Sequence, residues 1–324
     1  MSSRKVDNIM NENVMDKKKV IKFIVIVYLL SWIPSAIAGI YRRTCDDPMR
    51  GLAVFNGTLS LMMFTPMIAT LIVNHGLKGM GWKPKFKGNV KWILFCIIAP
   101  MVMTILGFVC FFAIFPDLFA LDGSYMMKYY ELMGMDSSAV TALLDEKGMS
   151  MTTVVTITIL QAMLEAPFIN MFISAGEEAG WRGFLYPELT KGFGKVKGWI
   201  IGGLIWSGFH YPAIAIGGHD YGFNSYGAPV LGIVVFTITC TALGILHEII
   251  YDKTKCIWYP SLLHGAINAA FTMYYMVLNG EHYDKIEKLT VFGPGNLALI
   301  SGIPLILTAI IMGIMVIKKD GTKE

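Results

Sequence analysis

Residues 174–189 read Ser174-Ala175-Gly176-Glu177-Glu178-Ala179-Gly180-Trp181-Arg182-Gly183-Phe184-Leu185-Tyr186-Pro187-Glu188-Leu189. Two adjacent carboxylates and an arginine close a long apolar run. A charged side chain at the centre of a bilayer costs about 2.5–3.5 kcal/mol on insertion scales, so such groups are usually kept for a use. Composition says that a bilayer is the right frame. Of 324 residues, 55% are hydrophobic and only 15% charged, whereas soluble domains carry about 25% charged residues. The expected fold class is therefore an all-α membrane protein.

A spanning helix needs about 20 mostly apolar residues. Eight stretches qualify: 20–41, 52–74, 92–115, 151–176, 199–216, 228–250, 257–278 and 296–317. The fourth is expected to run on as a helix to about Leu185, where Pro187 stops it. One membrane domain over 20–317 follows, with polar cytoplasmic tails at 1–19 and 318–324. The leader is polar, and the first apolar run exceeds the 7–15 residues of a signal-peptide core, so it reads as a retained span.

Basic residues test this count, because Lys and Arg concentrate on cytoplasmic segments. With a cytoplasmic N-terminus, the inner segments hold Arg4, Lys5, Lys17, Lys18, Lys19, Lys22, Lys78, Lys83, Lys85, Lys87, Lys91, Arg182, Lys191, Lys195, Lys197, Lys253, Lys255, Lys318, Lys319 and Lys323. The outer segments hold only Arg42, Arg43, Arg50, Lys128, Lys147, Lys285 and Lys288. Losing or adding one span would scramble the alternation, so eight spans with both termini cytoplasmic are expected. The long outer loop 116–150 is acidic and can form a surface helix. Gly217-Gly218-His219-Asp220-Tyr221-Gly222-Phe223 reads as a glycine-rich external turn. The five scattered cysteines suggest neither a disulfide framework nor a CxxC metal site.

Three constellations carry chemistry. Glu178 and Arg182 are i,i+4 and share a helix face. Glu177 sits about 100° round the helix and can point elsewhere. One assignment has Arg182 holding Glu178 ionised while Glu177 faces a water-lined cavity as a general base; the plainer reading is a solvated helix end with an ion pair. His210, with Trp206 at i−4, lies about 16 Å into the fifth span at 1.5 Å per residue. His264 and Asn268 stack on one face of the seventh span, and both can donate hydrogen bonds to a developing oxyanion. Each histidine alone could equally be interhelical glue, which brings about 0.6–2 kcal/mol. Together, all lie in the cytoplasmic half of three spans and fit one site. Gln161, Glu165, Pro167 and Asn170 form a further polar group in span four. It reads either as interhelical hydrogen bonding, with a kink at Pro167, or as a wall of the substrate cavity.

Other intramembrane chemistries are disfavoured by motif. His247-Glu248-Ile249-Ile250-Tyr251 opens like HExxH but lacks the second histidine. A GxSG motif around Ser207 fails at Ile205. Tyr251-Asp252 supplies half of a presenilin-type YD/GxGD pair, and His219 stands where the second glycine belongs.

These motifs resemble the CPBP family, also called CAAX protease or Abi, which includes the Rce1-type prenyl-protein endopeptidases. The family pattern is EExxxR, FxxxH and HxxxN. Glu177-Glu178-x-x-x-Arg182 matches the first, Trp206-x-x-x-His210 the second with Trp for Phe, and His264-x-x-x-Asn268 the third. The resemblance covers about residues 150–270. It implies an eight-helix intramembrane peptidase with a cavity open to the cytosol and lipid. It further implies that Glu177 is the catalytic base, that His210 positions the water, and that His264 and Asn268 stabilise the oxyanion. Glu178 and Arg182 would support the site, and Trp206 for Phe would alter cavity shape rather than chemistry.

The expected activity is endopeptidase cleavage near the C-terminus of a lipidated or membrane-bound peptide, by a multi-pass protein of the cell membrane. No cofactor is expected; the alternative is zinc held by Glu177, His210 and His264. The expected partners are a peptide or lipidated protein and membrane lipid, with no nucleic acid. The rival class is a bacteriocin self-immunity or peptide-binding protein without turnover. A transporter would favour inverted repeats, and none is visible.

Overall fold

In a computed structural model, which describes residues 14–322, local sequence signals set the helix starts. Asp16 accepts a hydrogen bond from the Lys19 amide and caps α1, Lys17–Thr44. Asp47 does the same for α2, Pro48–Met62, where Pro48 occupies the first turn and needs no N–H partner. The chain continues through α3 (Thr65–Asn74), α4 (Val90–Ile114), α5 (Ser124–Leu132), α6 (Ser137–Glu146), α7 (Met151–Leu164) and α8 (Ala166–Gly180). A π turn, Trp181–Leu185, leads into α9 (Tyr186–Phe193). Then come α10 (Lys195–Phe209), α11 (Tyr211–Ala215), α12 (Val230–Thr254), α13 (Trp258–Phe271), α14 (Tyr283–Leu289) and α15 (Ile303–Gly321). No strand occurs among the described residues. The acidic loop forms the surface helices α5 and α6, as expected. Residues 1–13 and 323–324 of the expected tails lie outside the described residues.

The outward faces are apolar. On α1, Ile21, Val25, Leu29, Ile33, Ile37 and Ile40 are all exposed, an arrangement that only a lipid surround makes inexpensive. Among the described residues, four helical stretches are long and apolar enough to cross a bilayer: Lys17–Thr44, Pro48–Asn74, Val90–Ile114 and Val230–Thr254. The pair Met151–Leu164 and Ala166–Phe193, bent by 48°, makes a fifth if taken as one span.

The other three expected spans hold shorter or more polar helices. α10 has 15 residues and α13 has 14, hence about 21–23 Å at 1.5 Å per residue against a hydrocarbon core of about 30 Å. The helical path is interrupted at His210, and beyond Phe271 it tightens into a 3₁₀ turn, Thr272–Met276. α15 has 19 residues and ends in Lys318, Lys319 and Asp320.

Pro187 does not end the fourth span. The π turn resets the register ahead of it, so Pro187 sits in the first turn of α9, where its missing N–H costs nothing. Pro167 stands just after the 48° bend, in the first turn of α8.

Hydrogen bonds define the two ends of the bundle. At one end the Asp16 amide donates to Glu188, and the Lys195 ammonium reaches Asp320 at 2.5 Å and Asp252 at 3.7 Å. Trp258 Nε1 donates to the Trp82 carbonyl there, and Tyr259 to the Lys85 carbonyl. This end gathers the lysine-rich segments. At the opposite end Arg42 donates to the Gly217 carbonyl at 2.6 Å and Arg43 to Ala215, and the Tyr226 amide donates to the Lys288 carbonyl.

α8 lies at the centre, between α3 and α13. Glycines permit this closeness. A Cβ at Gly176 would stand 2.6 Å from the Met63 carbonyl oxygen, and one at Gly265 would stand 2.6 Å from the Met171 nitrogen. Both are below any normal contact, so a side chain at either position would push a helix away from α8.

Candidate active site

The two glutamates at the end of α8 face different surroundings. Glu178 is fully buried behind the cavity wall. Arg182, four residues on and also fully buried, approaches its two carboxylate oxygens at 3.1 and 3.0 Å. Arg182 also donates to the Gly244 carbonyl at 3.3 Å. Its guanidinium lies 4.2 Å from the Trp206 ring centroid and 4.7 Å from that of Tyr186, contacts that suit a planar, weakly hydrated cation. From α13, His264 brings Nδ1 to 2.8 Å from Glu178 Oε1. A carboxylate paired with a guanidinium can only accept, so His264 carries its proton on Nδ1 and keeps Nε2 for other partners.

Glu177 has no cation of this kind. Its Oε2 accepts from two indoles, Trp181 Nε1 at 2.9 Å and Trp206 Nε1 at 2.7 Å. It is 1% exposed, and its small opening gives onto a cavity of about 460 Å³. Trp206, His210, His264 and Asn268 line the same cavity. The structure thus brings together all four expected catalytic residues from α8, the end of α10, and α13. Glu178 and Arg182 stand outside the lining, holding one of its members from behind.

His210 follows the last residue of α10, with Nδ1 3.3 Å from the Trp206 carbonyl. A carbonyl only accepts, so this contact puts the proton on Nδ1 and leaves Nε2 as a lone pair. Its ring lies parallel to that of His219, 6.4 Å away at 10°. His219 and Asp220, read from sequence as part of an external turn, line the cavity as well. Of the polar group in span four, Asn170 reaches the cavity and donates to Gly265 at 3.4 Å. Glu165 and Gln161 are exposed and outside it, so the expected cavity wall reduces to one residue of that group.

Two residues gain weight that their sequence context did not give them. Trp206 is more than a shape-filler. Its N–H holds Glu177, and its ring meets Arg182, His264 at 5.5 Å and His247 at 5.6 Å. A phenylalanine there could not donate. His247, half of a broken HExxH by sequence, packs its ring 5.5 Å from His264. Its Nδ1 lies 2.8 Å from the Leu243 carbonyl, and its buried Nε2 has no protein partner. The signal in sequence was only a histidine in an apolar span.

The same contacts bear on metal binding. Among the described residues, the three ligand atoms within 4.8 Å of one another belong to Glu178, His247 and His264, rather than to Glu177, His210 and His264. That trio does not suit a dication as arranged. Arg182 already lies against Glu178 at 3.0 Å, and His264 turns its protonated nitrogen to the same carboxylate. Zinc there would have to displace the Arg182 guanidinium from Glu178.

Residues 156–270 match the family model described as type II CAAX prenyl endopeptidase Rce1-like. A search of the curated proteins finds no match. The matched segment runs from within α7 to the end of α13 and contains the whole constellation.

Proposed function

We propose, for a chain whose residues 156–270 form a domain of the Rce1-like type II CAAX prenyl endopeptidase family, that it is an intramembrane endopeptidase in which Glu177 activates a water molecule. The observation that carries the reading is the convergence of Glu177, His210, His264 and Asn268 on one cavity from separate helices.

Both indole bonds fall on Glu177 Oε2, so Oε1 is the oxygen available to water. Water donating to Oε1 and to the bare Nε2 of His210 has its lone pair turned toward a bound peptide carbonyl. As the O–C bond forms, Glu177 takes the water's proton. The carbonyl oxygen becomes an oxyanion that accepts from the Asn268 amide. His264 adds a second donor from Nε2 in its doubly protonated form, because its Nδ1 proton is directed at Glu178. Collapse of the tetrahedral species breaks the C–N bond, and Glu177 returns the proton to the leaving amine. Glu178 and Arg182 position His264 and touch no substrate.

The substrate class follows from the family: a membrane-bound or lipidated peptide, cut near its C-terminus. Eight crossing elements in the cell membrane, both termini cytoplasmic and the catalytic groups in the cytoplasmic half, complete the reading. The basic-residue alternation and the gathering of lysine-rich segments at one end support it.

The test is cleavage by purified protein in lipid nanodiscs of peptides ending in a CAAX sequence, farnesylated and unmodified, with and without chelator. Wild type should release the C-terminal fragment, and Glu177→Gln should not. Turnover unchanged in Glu177→Gln would sink the assignment. Chelator-sensitive turnover restored by zinc would replace the metal-free mechanism. Tight peptide binding without any cleavage would point to the non-enzymatic class.

A further inference from the structure

The cavity carries charge of one sign. Glu177 and Asp220 line it, and among the described residues no Lys or Arg does. The reading above gives Glu177 a task and gives Asp220 none. The Asp220 side chain is 6% exposed, and that small opening gives onto the cavity it lines. Its Oδ2 is enclosed without a hydrogen-bond partner; the basic nitrogen that comes near, His219 Nε2, stands 3.6 Å away, too far for a hydrogen bond. Two arginines reach the same turn and are spent elsewhere. Arg42 donates to the Gly217 carbonyl and lies over the Phe55 and Phe223 rings. Arg43 donates to the Ala215 carbonyl and lies over Phe223. Burial without a partner pushes the Asp220 carboxyl above its usual range, and a cation brought against it would restore the ionised form.

The turn that carries Asp220 is fixed in place. Its φ of 63° is a left-handed backbone, which Asp and Asn accept better than most residues. The Thr290 hydroxyl donates to the Tyr221 carbonyl at 2.5 Å, and the Tyr221 hydroxyl donates to the Leu297 carbonyl at 2.8 Å. The Val291 amide donates to the Ser225 hydroxyl at 3.0 Å. These bonds tie the turn to the loop bearing Asn296, which lines the same cavity. The Asn296 amide is spent on the Ile267 carbonyl, and its buried Oδ1 accepts from nothing among the described residues. Two linked loops thus bring two buried acceptors without donors to one cavity, an arrangement that calls for a donor from outside.

His219 gives the scale. Its ring is 6.4 Å from that of His210, which is about two residues of extended chain at roughly 3.3 Å each. A side chain that reaches Asp220 therefore belongs to a residue within about three of the bond held beside His210. We propose that Asp220 is the counter-ion of a specificity subsite that takes a cationic side chain, an ammonium or a guanidinium, of the bound peptide. A buried carboxylate left alone is costly, and one met by a hydrogen-bonded cation is compensated. That the peptide is a substrate rests on the peptidase reading above. That the subsite takes a cation does not.

The experiment reads binding and cleavage separately. Farnesylated CAAX peptides bearing a neutral fluorophore carry lysine, or norleucine in its place, at each of the three positions on either side of the farnesylated cysteine. Norleucine keeps the alkyl stem and lacks the ammonium. Affinity is read by fluorescence anisotropy on the full chain with Glu177→Gln, in nanodiscs of zwitterionic lipid, and kcat/KM is read on wild type. At one position the lysine peptide should bind about tenfold more tightly than its norleucine partner. Asp220→Asn, added to the same chain, should bring that ratio to about one. Asp220→Gly, the other exchange that a left-handed backbone readily admits, should do the same. Equal affinities at every position, or no binding of any lysine peptide, overturn the proposal. So does a lysine preference that survives both substitutions. Lysine-dependent binding without cleavage by wild type keeps the subsite and breaks the peptidase reading; cleavage without a lysine preference does the reverse.

Discussion

Glu177 and Glu178 are neighbours in sequence and both buried, yet they are compensated in opposite ways. Glu178 has a guanidinium and an imidazole within 3.1 Å. Glu177 has two neutral indole N–H groups on one oxygen. A buried carboxylate held by a cation is committed to that cation, and removing the partner leaves an uncompensated charge. One held by neutral donors on a single oxygen keeps the other oxygen for chemistry. The pair teaches that adjacency on a helix separates roles by about 100° of rotation: one residue braces the wall and the other faces the cavity.

The contrast can be broken in several places. Glu177→Gln keeps an oxygen that accepts both indole bonds but removes the proposed base. It should lower kcat/KM by about 10²–10⁴ with little change in the denaturation midpoint in detergent. A large drop in that midpoint would give Glu177 the bracing role as well.

Arg182→Ala should behave in the reverse manner. It leaves Glu178 unpaired, which costs about 3–5 kcal/mol of stability for a broken buried pair, readable as a loss of folded fraction in a denaturant titration. Unchanged stability would show that the wall does not depend on the ion pair. Trp206→Phe removes one of the two donors on Glu177. A hydrogen bond to a charged group contributes about 1.5–3 kcal/mol, so the rate should fall about 10–100-fold while Glu178 and Arg182 keep their contacts. A rate equal to wild type would mean that Trp181 alone suffices.

The smallest effect belongs to an exposed pair that serves as the reference. Lys285 lies 2.6 Å from Asp117 outside the spans, and its ammonium holds the Asp117 carboxyl below its usual range. A lowered folded value means the contribution is present above the unfolded pKa, about 3.9, and is lost as pH falls through the folded one. Lys285→Ala should leave stability near neutral pH almost unchanged and remove a slight acid-side slope between pH 5 and 3. A clear loss at pH 7 would contradict the view that only the buried pair matters.

Much of the site was legible in sequence because its residues share helix faces at fixed spacing. Glu178–Arg182 and His264–Asn268 are i,i+4 pairs, and the local rule predicts their alignment. The role of Trp206 was not legible, because a Trp–Glu hydrogen bond between α10 and α8 depends on how two helices approach. His247 is hidden for the same reason: its neighbours, Glu178 and His264, are distant in sequence. The shortness of α10 and α13 is equally hidden. Apolar length alone does not reveal that the helix breaks at His210 and tightens at Thr272. Pro187 misleads in the other direction, since a proline signals a stop only if the helix before it is regular.

The π turn at Trp181–Leu185 inserts one residue into what would otherwise be a continuous helix. It acts as a splice between two reading frames of the same rod. Upstream, the frame turns Glu177 to the cavity and Glu178 to Arg182. Downstream, the frame directs Tyr186 and Leu189 into the core. Winding the same residues as regular α-helix would merge the frames and rotate everything after the turn by about 100°. Tyr186 would then leave its place under the Arg182 guanidinium, although no atom of the glutamate pair had been altered. The extra residue is thus what lets one continuous rod present the glutamate pair in one frame and Tyr186 and Leu189 in the other.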